Sequence, residues 1–186
     1  MRSRTKSRPV EFEEVLTSRI LYDGRAVRLR LERVRLPTGR ETSREIIEHP
    51  GSVAILPLLA ENLVLMIRQY RHAVGRTIWE IPAGTMEKRE TPAACARREL
   101  EEETGYSAKS MKLLFECYPT PGYSQELMRM FVARGLNPTE RRLDEDEIIS
   151  VEPVETERAF RMIGSKEICD AKTIAALSYL RSLASR

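Results

Sequence analysis

The chain has 186 residues, 41% of them apolar and 32% charged, which suits one domain with at most a small appendage. Its formal charge is +3, but four of the 31 basic residues lie within the first nine positions. Without those four, acidic residues outnumber basic ones, so the composition argues against a broad nucleic-acid-binding face. Three widely spaced cysteines and two histidines argue against a zinc cluster or a disulfide framework.

No segment approaches the roughly 18 consecutive apolar residues that cross a bilayer. The longest unbroken run of apolar residues and proline is 53–60. The N-terminus is charged and lacks the hydrophobic stretch of a signal peptide. We therefore expect a cytoplasmic protein that binds neither a membrane nor nucleic acid.

The first part of the chain predicts a basic tail followed by β-structure. Residues 1–10 are expected to form a disordered arm. Apolar and charged residues alternate over 26–36, which is typical of a half-buried strand. A turn signal at 37–40 leads to a second strand at 43–49.

The remainder predicts alternating strands and helices. Further strands are predicted at 53–59, 63–67, 112–118, 127–133 and 148–154, and helices at 93–104, 155–163 and after residue 170. Thr91 can cap the first helix, Pro92 suits its first turn, and Gly105 can end it. Asp170 can cap the last helix, and residues 137–147 are expected to be an acidic loop. Successive strands with short turns favour a mixed or antiparallel sheet.

Three glutamates of the predicted helix share one face. Glu99, Glu102 and Glu103 are related by i, i+3 and i+4, so their carboxylates lie within about one turn and repel one another. A divalent cation such as Mg²⁺ or Mn²⁺ would relieve the repulsion, because these ions prefer oxygen ligands. Arg98 lies one turn before Glu102 and can orient it. For the three glutamates alone, a solvated acidic face is the alternative.

The spacing around this helix carries more information than the glutamates. At fixed intervals the segment holds Gly84, Glu90, Arg98, Glu99, Glu102, Glu103 and Gly105, with Leu100 and Tyr106 at apolar positions. This pattern resembles the Nudix box at every defining position. The resemblance implies an α+β fold, an α/β/α sandwich with a mixed β-sheet between helices. It also implies an antiparallel β extension at 11–47 before a Nudix hydrolase domain at 48–186.

The same resemblance implies a Mg²⁺-dependent (or Mn²⁺-dependent) hydrolase of nucleoside diphosphates linked to another group. Glu99 and Glu103 become principal metal ligands, and Glu102 a ligand or bridging carboxylate. The backbone carbonyl of Ala83 is a further ligand of the family type. Arg98 and Glu90 are expected to support the geometry of the loop and the helix. Arg98 and Glu102 are also assigned as catalytic residues.

Flanking motifs narrow the resemblance to one branch. Arg-Gln-Tyr-Arg at 68–71, Trp-Glu-Ile-Pro-Ala-Gly at 79–84 and a proline fifteen residues beyond the box are similar to ADP-ribose pyrophosphatases. The resemblance implies four substrate-binding residues, namely Arg44 at adenine, Arg71, Pro121 and Ser124. Some members stack adenine on an aromatic side chain, and the corresponding stretch 24–27 has none. The preference for adenine therefore stays open.

The implied reaction is attack of water on the adenosine-side phosphorus, which releases AMP and ribose 5-phosphate. Arg71 can clamp a phosphate, since a guanidinium presents a bidentate fork, and a surface salt bridge is the alternative. The acidic loop is expected to supply Glu145 as general base and Glu147 as an extra metal ligand. A solvated loop is the alternative for both.

The implied partners are a small nucleotide substrate and a second copy of the chain. N-terminal strands of this branch exchange between two subunits, so a homodimer is expected. One rival is a Nudix hydrolase of a nucleotide sugar, a dinucleoside polyphosphate or an oxidised nucleotide. The other rival is a non-catalytic ligand-sensing module, which the retained box glutamates and the absence of a helix-turn-helix signal disfavour.

Overall fold

The structure, a computed structural model, describes residues 12–25, 27–143 and 148–184. These residues form ten strands and three helices. They divide into two compact units: the first runs through residue 49 and includes 120–125, and the second holds 50–119 and everything from 126 onward. None of the helices in the described part of the chain has the length and apolar composition of a membrane-crossing segment.

The first unit is an antiparallel sheet of three strands. They are β1 (Glu14–Asp23), β2 (Arg28–Arg35) and β3 (Glu41–Glu48), in the order β1-β2-β3. The predicted antiparallel β extension is confirmed. Strand β1 escaped the residue-by-residue prediction because nearly all of its side chains are exposed, so it shows no alternating apolar pattern.

The second unit is built on a seven-stranded mixed sheet. Its strands are β4 (Ser52–Ala60), β5 (Leu63–Arg71), β6 (Arg76–Glu80), β7 (Ala83–Thr85), β8 (Tyr106–Cys117), β9 (Met128–Pro138) and β10 (Ile149–Glu155). The main path is β10-β5-β4-β9-β8, with β6 on β5 and β7 on β4. The pair β4–β9 is parallel and the others are antiparallel, which confirms the mixed sheet.

Helices cover both faces of this sheet. They are α1 (Pro92–Thr104), α2 (Thr156–Gly164) and α3 (Ala171–Ala184). Successive residues of β4 alternate between two buried clusters: Val53 packs with Leu100 of α1, whereas Leu56 packs with Met162 of α2 and Leu177 of α3. Alternation of this kind is the period of a strand that is buried on both faces. The α/β/α sandwich is therefore confirmed.

Helix α1 begins and ends where the sequence predicts. The Thr91 side chain accepts a hydrogen bond from Ala94 N at 3.3 Å, and Pro92 occupies the first turn. Gly105 adopts φ 73°, and its N–H donates to Glu101 O at 2.9 Å. The box helix is thus closed at both ends by local signals.

The largest differences from the predicted boundaries are in β8 and β9. Strand β8 begins at Tyr106, six residues before the predicted start at 112, and β9 runs on to Pro138. Residues 106–111, of which Ser107, Lys109 and Ser110 are polar, pair with 133–138, so backbone pairing extends both strands. The predicted acidic loop consequently starts after residue 138, and its residues 144–147 lie outside the described chain.

Candidate active site

A short strand places the glycine loop beside the box helix. Strand β7 pairs with β4 so that Ala83 lies opposite Ala54 and Gly84 opposite Val53. Just before it, Pro82 O accepts a hydrogen bond from Ile55 N at 2.8 Å. The loop backbone is therefore fixed to a central buried strand rather than free in solution.

The Glu99 carboxylate occupies the space above Gly84. A Cβ built on Gly84 would lie 1.9 Å from Glu99 Cδ and Oε1. Only a residue without a side chain leaves room for the carboxylate in this position. Gly84 therefore brings Glu99 directly against the loop backbone.

Glu103 is held against the same loop from within the protein. Its side chain is 3% exposed, and Oε2 accepts a hydrogen bond from Ala83 N at 3.0 Å. Since the N–H of Ala83 points to Glu103, this backbone segment is oriented by the helix that it faces. Ala83, Glu99 and Glu103 are thus brought together.

Arg98 links the remaining carboxylates of the box. Its Nη1 donates to Glu99 Oε1 at 2.8 Å and to Glu102 Oε2 at 2.9 Å. Its Nε and Nη2 donate to the two oxygens of Glu90, each at 3.0 Å. The hydrogen bonds from Arg98 lower the pKa of Glu90 to about 2. Arg98 therefore ties the loop carboxylate to the helix, as the sequence predicts.

Cys95 lies on the buried side of the box helix. Burial, together with hydrogen bonding to Glu90, raises the pKa of its thiol to about 12. A thiol that stays protonated at neutral pH is a poor nucleophile. Cys95 is a packed residue of the cluster around Leu100.

An open cleft lies at the glycine loop and the exposed carboxylates of the box helix. It has a volume of about 390 Å³ and is lined by Arg71, Ala83, Gly84, Thr85, Glu87, Arg98, Glu99 and Glu102. Arg71 is the last residue of β5. Arg71, the predicted phosphate-binding arginine, therefore lines the same cleft as two of the box carboxylates, Glu99 and Glu102.

The Arg71 guanidinium is anchored by a residue that the sequence analysis missed. Arg71 Nε and Nη2 donate to the two oxygens of Glu80, at 2.7 and 2.9 Å. Glu80 also contacts Lys172 from the start of α3. The available signal was a glutamate flanked by two apolar residues, Trp79 and Ile81, because a buried carboxylate needs a cationic partner.

Three of the predicted substrate residues belong to the first unit. Arg44 forms a two-pronged pair with Glu13, with Nε–Oε2 at 3.0 Å and Nη2–Oε1 at 2.6 Å. Ser124 bridges to Ile47 of β3, and Pro121 is an exposed residue of the same short loop. The structure brings these three residues into one unit and places Arg71 and the box in the other.

The stretch expected to lack an aromatic has a tyrosine beside it. The Tyr22 ring lies against Gly24, where a Cβ would meet it at 2.4 Å, and Tyr22 is largely exposed. Tyr22 therefore places an aromatic ring next to Gly24, which the sequence alone did not locate.

The predicted base Glu145 and the predicted extra ligand Glu147 lie outside the described residues. Their flanks are described. Arg141 Nε donates to Glu103 O at 2.7 Å, and Arg141 Nη2 donates to Ile149 O at 2.8 Å. Arg141 therefore ties the end of the box helix to the first residue of β10.

The donor set of the box has the chemistry of a divalent cation site. Among the described residues no three His, Cys, Asp or Glu side chains converge on one point as they would around an ion. Instead, Arg98 Nη1 donates to both Glu99 and Glu102, and Gly84 leaves the space that the Glu99 carboxylate fills. Carboxylate and carbonyl oxygens are the ligands that hard divalent cations prefer, so the residues fit such an ion.

Comparisons with known proteins agree with this geometry. The chain is 42% identical to the ADP-ribose pyrophosphatase of Bacillus subtilis (strain 168), over 91% of this chain and 92% of that protein. It is 40% identical to the methanol dehydrogenase activator of Bacillus methanolicus over the same shares. A crystal structure of an ADP compounds hydrolase matches 96% of this chain and 97% of its own, with a TM-score of 0.85 and 20% identity, which shows the same fold.

A sequence profile of the NUDIX domain matches residues 48–177. The matched region contains the glycine loop, the whole box helix and Arg71, and it starts at the last residue of β3. The chain belongs to the Nudix family.

Proposed function

We propose that the chain hydrolyses the pyrophosphate bond of ADP-ribose, or of a related ADP-sugar, to AMP and ribose 5-phosphate. The observation that carries the reaction class is the cleft that Arg71, Glu99 and Glu102 line together. The B. subtilis relative, an ADP-ribose pyrophosphatase that matches over nine-tenths of both chains, supports the substrate.

Nudix hydrolases in general act with divalent metal ions. Here we take Mg²⁺, or Mn²⁺, as the ion. Ala83 O, Glu99 and Glu103 would hold it, with Glu102 as a ligand or bridging carboxylate and Glu147 as an additional ligand. When bound, such an ion offsets the charge of a pyrophosphate and favours the ionisation of water.

The protein's own side chains have separate tasks. Arg71 binds a phosphate oxygen, because a guanidinium matches phosphate geometry. The hydrogen bonds between Arg98 and Glu90 fix the position of the box helix relative to the glycine loop. Glu145 accepts a proton from the attacking water, which adds to the adenosine-side phosphorus, and ribose 5-phosphate leaves.

The first unit is assigned to the adenosine end of the substrate and to self-association. Arg44, Pro121 and Ser124 contact the adenosine portion. Phe12, Val15 and Tyr22 are large apolar or aromatic side chains that are more than half exposed, and burying them against a second copy would be favourable. The proposed assembly is a homodimer, and the proposed location is the cytoplasm.

Other nucleoside diphosphate derivatives form the second candidate class of substrates, including nucleotide sugars and dinucleoside polyphosphates. The stretch 24–27 itself contains no aromatic residue, which favours weaker selection for adenine. A non-catalytic sensing module has less support, because Glu99, Glu102 and Glu103 are all retained.

A substrate panel in heavy-oxygen water tests the proposal. With Mg²⁺ present, ADP-ribose should give the highest kcat/KM, and mass spectrometry should find the label in AMP rather than in ribose 5-phosphate. A higher kcat/KM with GDP- or UDP-sugars would instead favour the other nucleoside diphosphate derivatives as substrates. Ligand binding with no hydrolysis of any substrate would instead favour the sensing module.

A further inference from the structure

We propose that Glu80 is a positioning residue for Arg71. This buried carboxylate is held on its other side by Lys172, and it fixes the guanidinium that lines the box cleft. The inference rests on the proposed function, in which Arg71 binds a phosphate of the substrate. It adds two residues, Glu80 and Lys172, that lie outside the box and do not line the cleft.

The contact between Arg71 and Glu80 determines the orientation of the guanidinium. Two N–H groups of Arg71 meet the two oxygens of Glu80 at 2.7 and 2.9 Å, and both groups are planar. The guanidinium therefore cannot rotate without breaking one bond. Among the described residues Nη1 of Arg71 has no hydrogen-bond partner, and the Arg71 side chain is 38% exposed. One edge of the anchored group stays available to a ligand.

Glu80 is a buried carboxylate, and its negative charge needs a cationic partner. Its side chain is 1% exposed. Burial alone would raise the pKa of Glu80, but hydrogen bonds from Arg71 and the charge of Lys172 outweigh burial and hold the pKa below its usual range. Glu80 is therefore ionised at neutral pH and engaged on both oxygens, so it acts as an anchor and not as an acid or base.

Lys172 lies in an unfavourable position for its own helix. It is in the first turn of α3, where the positive end of the helix dipole repels a cation. Two carboxylates compensate for this repulsion: Lys172 Nζ contacts Glu80, and it lies 3.1 Å from Asp170 Oδ1. Lys172 therefore does not stabilise its own helix at this position, and its contact with Glu80 explains why a lysine lies there.

The same end of α3 is tied to the strand that leads into the loop. Asp170 Oδ2 accepts a hydrogen bond from Thr173 N at 3.0 Å, and Thr173 Oγ1 accepts one from Ile81 N at 2.9 Å. Ile81 follows Glu80 and lies two residues before Ala83. The start of α3 thus positions Glu80, and through it Arg71, relative to the loop that faces the box helix.

Fixing Arg71 before the substrate arrives removes an entropy loss from the binding step. A free arginine side chain has many rotamers, and immobilising it on binding weakens affinity. Arg71 and Lys172 carry two positive charges, and Glu80 and Asp170 carry two negative ones. The net charge of these four side chains is zero until a phosphate approaches the open edge of Arg71.

A double-mutant cycle tests this positioning role, with kcat/KM for ADP-ribose as the readout. Glu80→Gln should lower kcat/KM roughly 10- to 100-fold, because a displaced Arg71 no longer meets the phosphate. In an Arg71→Met background the same change should have less than about a twofold effect. Glu152→Gln is the matched control, since Glu152 forms an exposed pair with Arg68 at 3.7 Å on the neighbouring strand, and it should leave kcat/KM unchanged.

Two outcomes would overturn the positioning role. The first is an equal loss of kcat/KM from Glu80→Gln in both backgrounds, which would indicate a general structural effect. The second is no loss at all. Should Glu80→Gln fail to fold, Glu80→Asp keeps the charge beside Lys172 but is one methylene shorter, so it should show the same dependence on Arg71.

Binding of inorganic pyrophosphate with Mg²⁺ separates this inference from the proposed function. Calorimetry, or the fluorescence of Trp79, the sole tryptophan, follows binding without hydrolysis. If ADP-ribose is not a substrate, Glu80→Gln should still weaken pyrophosphate binding roughly tenfold when Arg71 is present. Unweakened binding in Glu80→Gln, or no pyrophosphate binding by the native chain, would overturn the inference.

Discussion

The Glu99 carboxylate lies so close to the Cα of Gly84 that a methyl group on the glycine would meet Glu99 Cδ at 1.9 Å. Gly84→Ala should therefore push the carboxylate away from the loop and weaken Mn²⁺ binding roughly 10- to 100-fold, by analogy with the loss of groups that orient metal ligands. Titration followed by electron paramagnetic resonance measures this affinity.

Gly164→Ala is the matched control for that change. Nothing lies within 4 Å of a Cβ at Gly164, which is the last residue of α2. Its Mn²⁺ affinity should equal that of the native chain. If Gly84→Ala bound Mn²⁺ equally well, the close approach of Glu99 would have no role in metal binding.

Glu90 should make the protein more stable above its unfolded-state pKa than below it. The pKa of Glu90 is about 2 in the folded chain, below the 4.5 of an unperturbed glutamate, because of the hydrogen bonds from Arg98. A lowered pKa means that this stabilisation is present above pH 4.5 and is lost as the pH falls toward 2. Glu90→Gln should therefore lower the free energy of unfolding at pH 7 and flatten its decline over that interval.

Urea unfolding at a series of pH values measures both effects. Glu140→Gln is the control, because Glu140 pairs with Arg142 on the surface and both side chains are mostly exposed. Its unfolding free energy should follow the native curve. A Glu90→Gln curve parallel to the native one would contradict the role assigned to the Glu90–Arg98 pair.

Leu100 should anchor the box helix to the sheet. It is fully buried with Val53 and Ile55 of β4. Leu100→Ala should lower the free energy of unfolding by about 2–5 kcal/mol, which is typical of a large-to-small change in a core. Leu113→Ala, on a half-exposed residue of β8, should cost less than about 1 kcal/mol. Equal losses in the two variants would show that α1 does not depend on this contact.

The acidic loop should contain the general base. Glu145→Gln is expected to lower kcat about 10²- to 10⁴-fold with little change in KM. Glu147→Gln should instead raise the Mg²⁺ concentration needed for half-maximal rate. Near-native rates and Mg²⁺ dependence in both variants would remove the loop from the mechanism.

The sequence predicted the box helix to within one residue because its signals are local. The cap at Thr91, the terminating Gly105 and the spacing of the glutamates all lie within one segment. Leu100, at an apolar position of the pattern, is buried against the sheet. Short-range geometry follows from helical periodicity, which the sequence displays directly.

Contacts between distant segments were not predictable in the same way. Glu80 and Lys172 are 92 residues apart, and no periodic pattern connects a strand glutamate to a lysine at a helix start. The bond from Ala83 N to Glu103 likewise depends on how β7 lies beside α1. Such pairs follow from the packing of whole elements, which a single sequence does not specify.

The most direct test of the account compares two neighbouring glutamates of the box helix. Glu99 lies against Gly84 in the cleft, whereas Glu101 is exposed on another face of α1. With ADP-ribose and saturating Mg²⁺, Glu99→Gln should lose turnover by roughly 100-fold or more, and Glu101→Gln should keep it. Full activity in Glu99→Gln would contradict the assignment of the box carboxylates to metal-dependent hydrolysis.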